Sequence, residues 1–135
     1  MPRAAELGLV ALLAIAAPTF AAERVVCHVT YGGQTQLIEA LPVASPYGVR
    51  THAIGSFFRF RVVFRTEPAD LAGIKIYTYA DHDTGPALVH QASHAYAPET
   101  ARRGGPDGFT GRQSVHEPIR DSELNYWCEL KGDGK

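Results

Sequence analysis

The residues of this chain best suited to chemistry are its six histidines, His28, His52, His82, His90, His94 and His116, two of which, His82 and His116, stand beside carboxylates. Imidazole and carboxylate together suit Zn²⁺ or Cu²⁺. The densest run is Asp81-His82-Asp83, and His116 is followed directly by Glu117. His90 and His94 have the H-x-x-x-H spacing that places two ligands on one helical turn. Their segment reads as extended, however, and four residues of strand separate them by about 13 Å, too far to share one ion. The D-x-D-x-G run of residues 81–85 has the spacing that opens a calcium loop. Its twelfth position holds Ala92 in place of an acid, which excludes an EF-hand. A transition-metal shell of His52, Asp81, His82, Asp83 and His116 therefore requires a fold that brings three separate loops to one place.

Catalytic signatures are missing from the sequence. It contains no G-x-S-x-G, H-E-x-x-H, P-loop or dinucleotide fingerprint, and no nucleophile is identifiable beside a base. A non-enzymatic role is expected. Two further groups are suited to contacts with a partner. Arg59, Arg61 and Arg65 alternate along one extended run, which turns all three guanidinium groups to one side and suits carboxylate or phosphate. Trp127 is expected to point outward with Asn125 and Glu129, and an outward Trp near Tyr77 and Tyr79 would form an amphipathic platform. With 13 Lys+Arg against 14 Asp+Glu, the net charge of −1 argues against a nucleic-acid partner and against attachment to a membrane through a polybasic face.

The elements that must position these residues begin after a leader. Residues 1–21 have Arg3 in a short basic region, an apolar run over residues 7–17, Pro18 as a breaker and small residues before the expected cut after Ala21. This is the layout of a cleaved secretory signal peptide, its apolar run too short to span a bilayer. Residues 22–135 are then one domain in an extracytoplasmic space, periplasmic or secreted. The only two cysteines, Cys27 and Cys128, fit an oxidising compartment as a single disulfide tying the first strand to the last.

The body alternates as strands do. Residues 25–31 and 34–41 flank Gly32-Gly33, a hairpin signal in which Tyr31 pairs with Gln34, Cys27 with Ile38 and Val25 with Ala40. In residues 57–66, Phe58, Phe60, Val62 and Phe64 share the inward side; in residues 74–80, Ile74, Ile76 and Thr78 do. Residues 87–96, 112–117 and 122–130 complete about seven strands. No stretch has helical periodicity beyond one possible turn near residues 67–73. Short strands separated by Pro, Gly and Asp turns predict an all-β fold, a small antiparallel Ig-like β-sandwich. Its long loops, residues 42–55 and 97–111, are where binding is expected. If strands simply alternate up and down, the second, fourth and sixth loops share an end and bring His52, residues 81–83 and His116 together.

The sequence thus predicts an exported, non-catalytic binding protein that holds a transition metal (Cu or Zn) through loop histidines. The alternative is a protein-binding module, a hydrolase inhibitor or an accessory subunit of an envelope complex. It would use Trp127, Tyr77, Tyr79, the long loop of residues 97–111 and the arginine stripe with Arg59 and Arg61.

Overall fold

The structure, a computed structural model, describes residues 8, 10–14, 23–96 and 106–132. The expected cleavage site and most of the 97–111 loop lie outside the described residues. Eight strands follow in chain order: β1 (Arg24–Tyr31), β2 (Gln34–Ala40), β3 (His52–Ile54), β4 (Phe58–Arg65), β5 (Gly73–His82), β6 (Gly85–His94), β7 (Gln113–Glu117) and β8 (Ser122–Lys131). They form two antiparallel four-stranded sheets, β2-β1-β8-β7 and β3-β4-β5-β6, hereafter sheets A and B. Among the described residues helix is confined to two 3-10 turns, Pro46–Gly48 and Ala69–Leu71.

Period-two patterning builds each sheet with one greasy side. Val25, Cys27, Val29, Leu124, Tyr126 and Cys128 face inward from sheet A; Phe58, Phe60, Val62, Phe64, Ile74, Ile76 and Ala80 face them from sheet B, none more than 3% exposed. Fully burying side chains of this size is worth roughly 1.5–3 kcal/mol each. The Gly32-Gly33 hairpin has the expected register, Tyr31 opposite Gln34, Cys27 opposite Ile38 and Val25 opposite Ala40. Both glycines have positive φ, 61° and 78°, as a two-residue type I′ turn demands.

The described residues form eight strands, one more than the expected number. The extra one, β3, lies inside the segment expected to be a loop and pairs His52–Ile54 with Phe58–Phe60. The disulfide also joins Cys27 and Cys128 across neighbouring strands of one sheet, whereas the immunoglobulin arrangement bridges the two sheets.

Residues 42–50 run as a strap over the outer side of sheet B. Arg61 donates through Nε to the carbonyl of Val49 (2.9 Å) and through Nη2 to that of Pro46 (2.5 Å), while Arg65 donates to Ala44 (2.8 Å). Val63 points to this outer side yet is only 2% exposed, because the strap crosses above it. At the far edge of sheet A, Gly108 brings the chain back against β8. The N–H of Phe109 donates to Cys128 O (3.0 Å), and Cys128 N–H donates to Thr110 Oγ1 (2.9 Å).

Candidate functional site

The strands place the histidines in different surroundings. His82, the last residue of β5, turns inward at one end of the sandwich, edge-on to Phe57 and 3.8 Å from Glu117 Oε1. Glu117 is 1% exposed and accepts from the N–H groups of Ile119 and Arg120, both at 2.8 Å. Desolvation would raise its carboxyl pKa. The two N–H bonds, with the His82 and Arg120 charges, outweigh that and hold it below the usual value. Glu117 thus shapes the β7–β8 turn, whose Asp121 sits at φ 52°, and has little capacity left for a ligand.

The three loops meet only in part. The turns after β5 and after β7 do share an end, as His82 beside Glu117 demonstrates. His116 is nevertheless on the outer side of sheet A, 3.4 Å from Asp121, because Val115 and Glu117 on either side of it face inward. His52 has moved onto the edge strand β3, opposite Phe60, where it lines a groove of about 450 Å³ with Ile38 and Val62. Asp81 is on the outer side of sheet B and takes both short contacts from Arg59 Nε (2.9 Å), and Asp83 is exposed in the turn. Among the described residues no three of His, Cys, Asp and Glu come together in a way that would hold a metal ion.

His90 and His94 face into the open side between β6 and β7. His90 Nε2 lies 2.6 Å from the Tyr126 hydroxyl, and His94 stands edge-on to Phe109. Burial, assisted by His94, keeps the His90 imidazole below its ordinary pKa; burial alone does so for His94. Burial pushes the Tyr126 phenol up to about 12. Both histidines are therefore biased toward the neutral form, and the His90–Tyr126 pair joins the two sheets.

The expected aromatic platform is divided between the two outer faces. Tyr77 and Tyr79 stack on one another over sheet B (6.4 Å between centroids), with Arg61 5.1 Å above Tyr77. Trp127 belongs to sheet A, on the opposite side of the molecule. The arginine stripe is occupied as well. Arg59 is paired with Asp81, and Arg61 and Arg65 are bonded to strap carbonyls.

What remains as a site is the outer face of sheet A, built from transverse rows of side chains. In the central row Trp127 lies flat against His28, with 3.8 Å between ring centroids and an interplanar angle of 3°. His28 Nε2 is 2.6 Å from Glu129 Oε2, which fixes the ring, and Leu37 follows His28 in register with 60% exposure. The next row is polar: Thr35 bonds Thr30 (2.7 Å), Asn125 lies opposite Thr30, and Ser114 donates to Asn125 Oδ1 (2.6 Å). From these two rows His28, Trp127, Thr30, Thr35 and Asn125, with Arg112, line a shallow cleft of about 310 Å³. No family model, curated protein or solved structure matches the chain.

His28 and Leu37 escaped the sequence reading, although the signal for His28 was present. Antiparallel partners have a constant sum of residue numbers. Once Cys27 and Cys128 are placed opposite each other on adjoining strands, His28 must oppose Trp127 on the outward side.

Proposed function

We propose that this is an exported, non-catalytic binding protein of the periplasm or cell exterior, and that it binds a protein partner through the outer face of sheet A. The observation that supports this reading most is the Trp127–His28 stack with Leu37 exposed beside it and a row of hydroxyl and amide groups alongside. Stationary aromatic surface bordered by polar groups is the composition of protein-binding hot spots. The Glu129 bond holds the stack in place before a partner arrives, so little rotamer entropy is lost on binding.

Export is supported by the leader-like pattern of residues 1–21 and by the exposure of Val10, Leu12 and Leu13 at 83%, 89% and 86%, apolar side chains that add nothing to the core. The bridged cysteines are compatible with an oxidising compartment. No helix among the described residues is long and apolar enough to cross a membrane. The Cu or Zn reading draws no support from the positions of His52, His82 and His116, which face three different surroundings.

Affinity capture from envelope extract, followed by titration of the captured protein, tests the proposal. Trp127→Ala is expected to weaken binding at least about tenfold, as loss of an aromatic anchor does. Equal affinity of wild type and variant would reject this face as the binding surface.

A further inference from the structure

Four strands form the outer edges of the two sheets, and they are not equally protected. β3 has three residues and β7 five; β6 contains Pro86 and faces a register shift at Thr78/Tyr79. β2 has seven residues with no bulge, proline or basic side chain, and Glu39 is its single charge. Among the described residues no hydrogen bond or ion pair from outside β1 reaches Thr35, Leu37 or Glu39, and a groove separates the Ile38–Ala40 end of β2 from the strap. Natural sheets leave such an edge open only at the risk of pairing with another strand.

The hairpin determines which backbone groups are free. A two-residue type I′ turn closes on a hydrogen-bonded pair, here Tyr31 and Gln34. Hydrogen-bonded pairs recur at every second position, so Gln36, Ile38 and Ala40 bond β1 while the N–H and C=O of Thr35, Leu37 and Glu39 point away from it. The far side of sheet A agrees with this alternation. Cys128 uses its N–H and C=O toward Thr110 and Phe109, leaving Cys27 to bond Ile38 of β2.

We infer that β2 pairs antiparallel with β2 of a second copy of this chain, about a two-fold axis through Leu37. Leu37 is the midpoint of Gln34–Ala40, so centring on it is the only register that matches all seven residues of one strand with all seven of the other. Leu37 is also one of the residues whose N–H and C=O face the open side, as the centre of such a pairing requires. Thr35 then opposes Glu39 of the second copy, and the two Glu39 carboxylates stay apart. Three pairs exchanging two bonds each give about six new backbone hydrogen bonds. The two Leu37 side chains, each 60% exposed in the single chain, cover one another. The rows from Trp127 through His28 to Leu37 join end to end across the axis. The inference does not depend on the proposed function, but it would make the binding face bivalent.

Sedimentation velocity and disulfide trapping test it on the chain as recovered after expression. Wild type is expected at twice the chain mass by about 100 µM, a concentration that saturates a micromolar dimer. Leu37→Lys, which adds an edge charge without altering β1 pairing, is expected to be monomeric with an unchanged circular dichroism spectrum. Facing residues of a hydrogen-bonded pair are about 5.5 Å apart, within disulfide range. On mild oxidation Leu37→Cys is therefore expected to cross-link. Thr35→Cys alone is expected to stay uncross-linked, and the Thr35→Cys/Glu39→Cys double variant to cross-link. A wild type that remains monomeric, a dimer that survives Leu37→Lys, or equal trapping of Leu37→Cys and Thr35→Cys would each overturn the inference. Monomeric wild type with β2 occupied only by a strand of another protein counts as the first of these. Capture through Trp127 is measured separately and could succeed or fail with either result.

Discussion

Glu117 and Tyr126 are buried and His90 and His94 half-buried, and the titration of all four differs between folded and unfolded chain, in a direction that depends on the group. Burial lowers both histidines below their ordinary value of 6.5. As pH falls through 6.5 the unfolded chain takes up protons first, so stability declines until the depressed native values are passed. Glu117 is also lowered, from an ordinary 4.5. Its contribution is present above that value and is lost as pH falls through the native one. Tyr126 acts in the opposite sense. Between its ordinary 10.0 and the native value of about 12 only the unfolded phenol ionises, and stability declines as pH rises. Urea midpoints measured against pH are therefore expected to fall on both sides of a plateau. A double variant with His90→Gln and His94→Gln should lose the decline that starts near 6.5 while keeping the lower one at Glu117. An unchanged profile in that variant would show that the two imidazoles are not responsible.

Two segments without regular pairing are each held by a few residues, and the two can be tested separately. Arg61→Ala removes both bonds to strap carbonyls and the cation on Tyr77. Charged hydrogen bonds contribute about 1.5–3 kcal/mol, so a stability loss of that order is expected, with limited proteolysis moving into residues 42–50. Gly108 has φ 66°, and a Cβ there would fall 2.0 Å from Cys128 O; Gly111 has φ 68° with nothing within 4 Å. Gly111→Ala should cost only the left-handed conformation, about 1–2 kcal/mol. Gly108→Ala should cost clearly more, because the chain must leave β8, and chemical denaturation of the pair measures the difference. These elements also mark what could be read in advance. β1, β2, β4, β5 and β8 were legible because alternation and the Gly-Gly turn state which side of a strand is buried. β3 was not, since three residues, His-Ala-Ile, are too short to establish a period. Alternation also does not say which sheet a strand joins. That is why Trp127 and the tyrosine pair, both correctly outward, were expected together and stand on opposite faces. Nor does the pattern of a stripe name its partners: Arg61 and Arg65 meet backbone carbonyls, which carry no sequence signal.

The whole molecule is organised about the pairing of β1 with β8, the two inner strands of sheet A, fastened by Cys27–Cys128 across 101 residues of chain. Closing a loop of that length is worth roughly 4–5 kcal/mol on the chain-entropy account. Reduction, or Cys27→Ala with Cys128→Ala, is expected to lower unfolding stability by about that much, measured by urea titration with and without reductant. The same adjacency imposes an order in time. β1 leaves the ribosome well before β8, so sheet A cannot assemble until the roughly 100 residues between them have been delivered, and until then β1 has only β2 beside it. A two-stranded hairpin is marginal in water, and contacts this distant in sequence place folding in the slow, millisecond-to-second class. Sheet B, whose four strands are consecutive in the chain, has no such wait, whereas the Cys27–Cys128 bridge can close only after β8 has arrived.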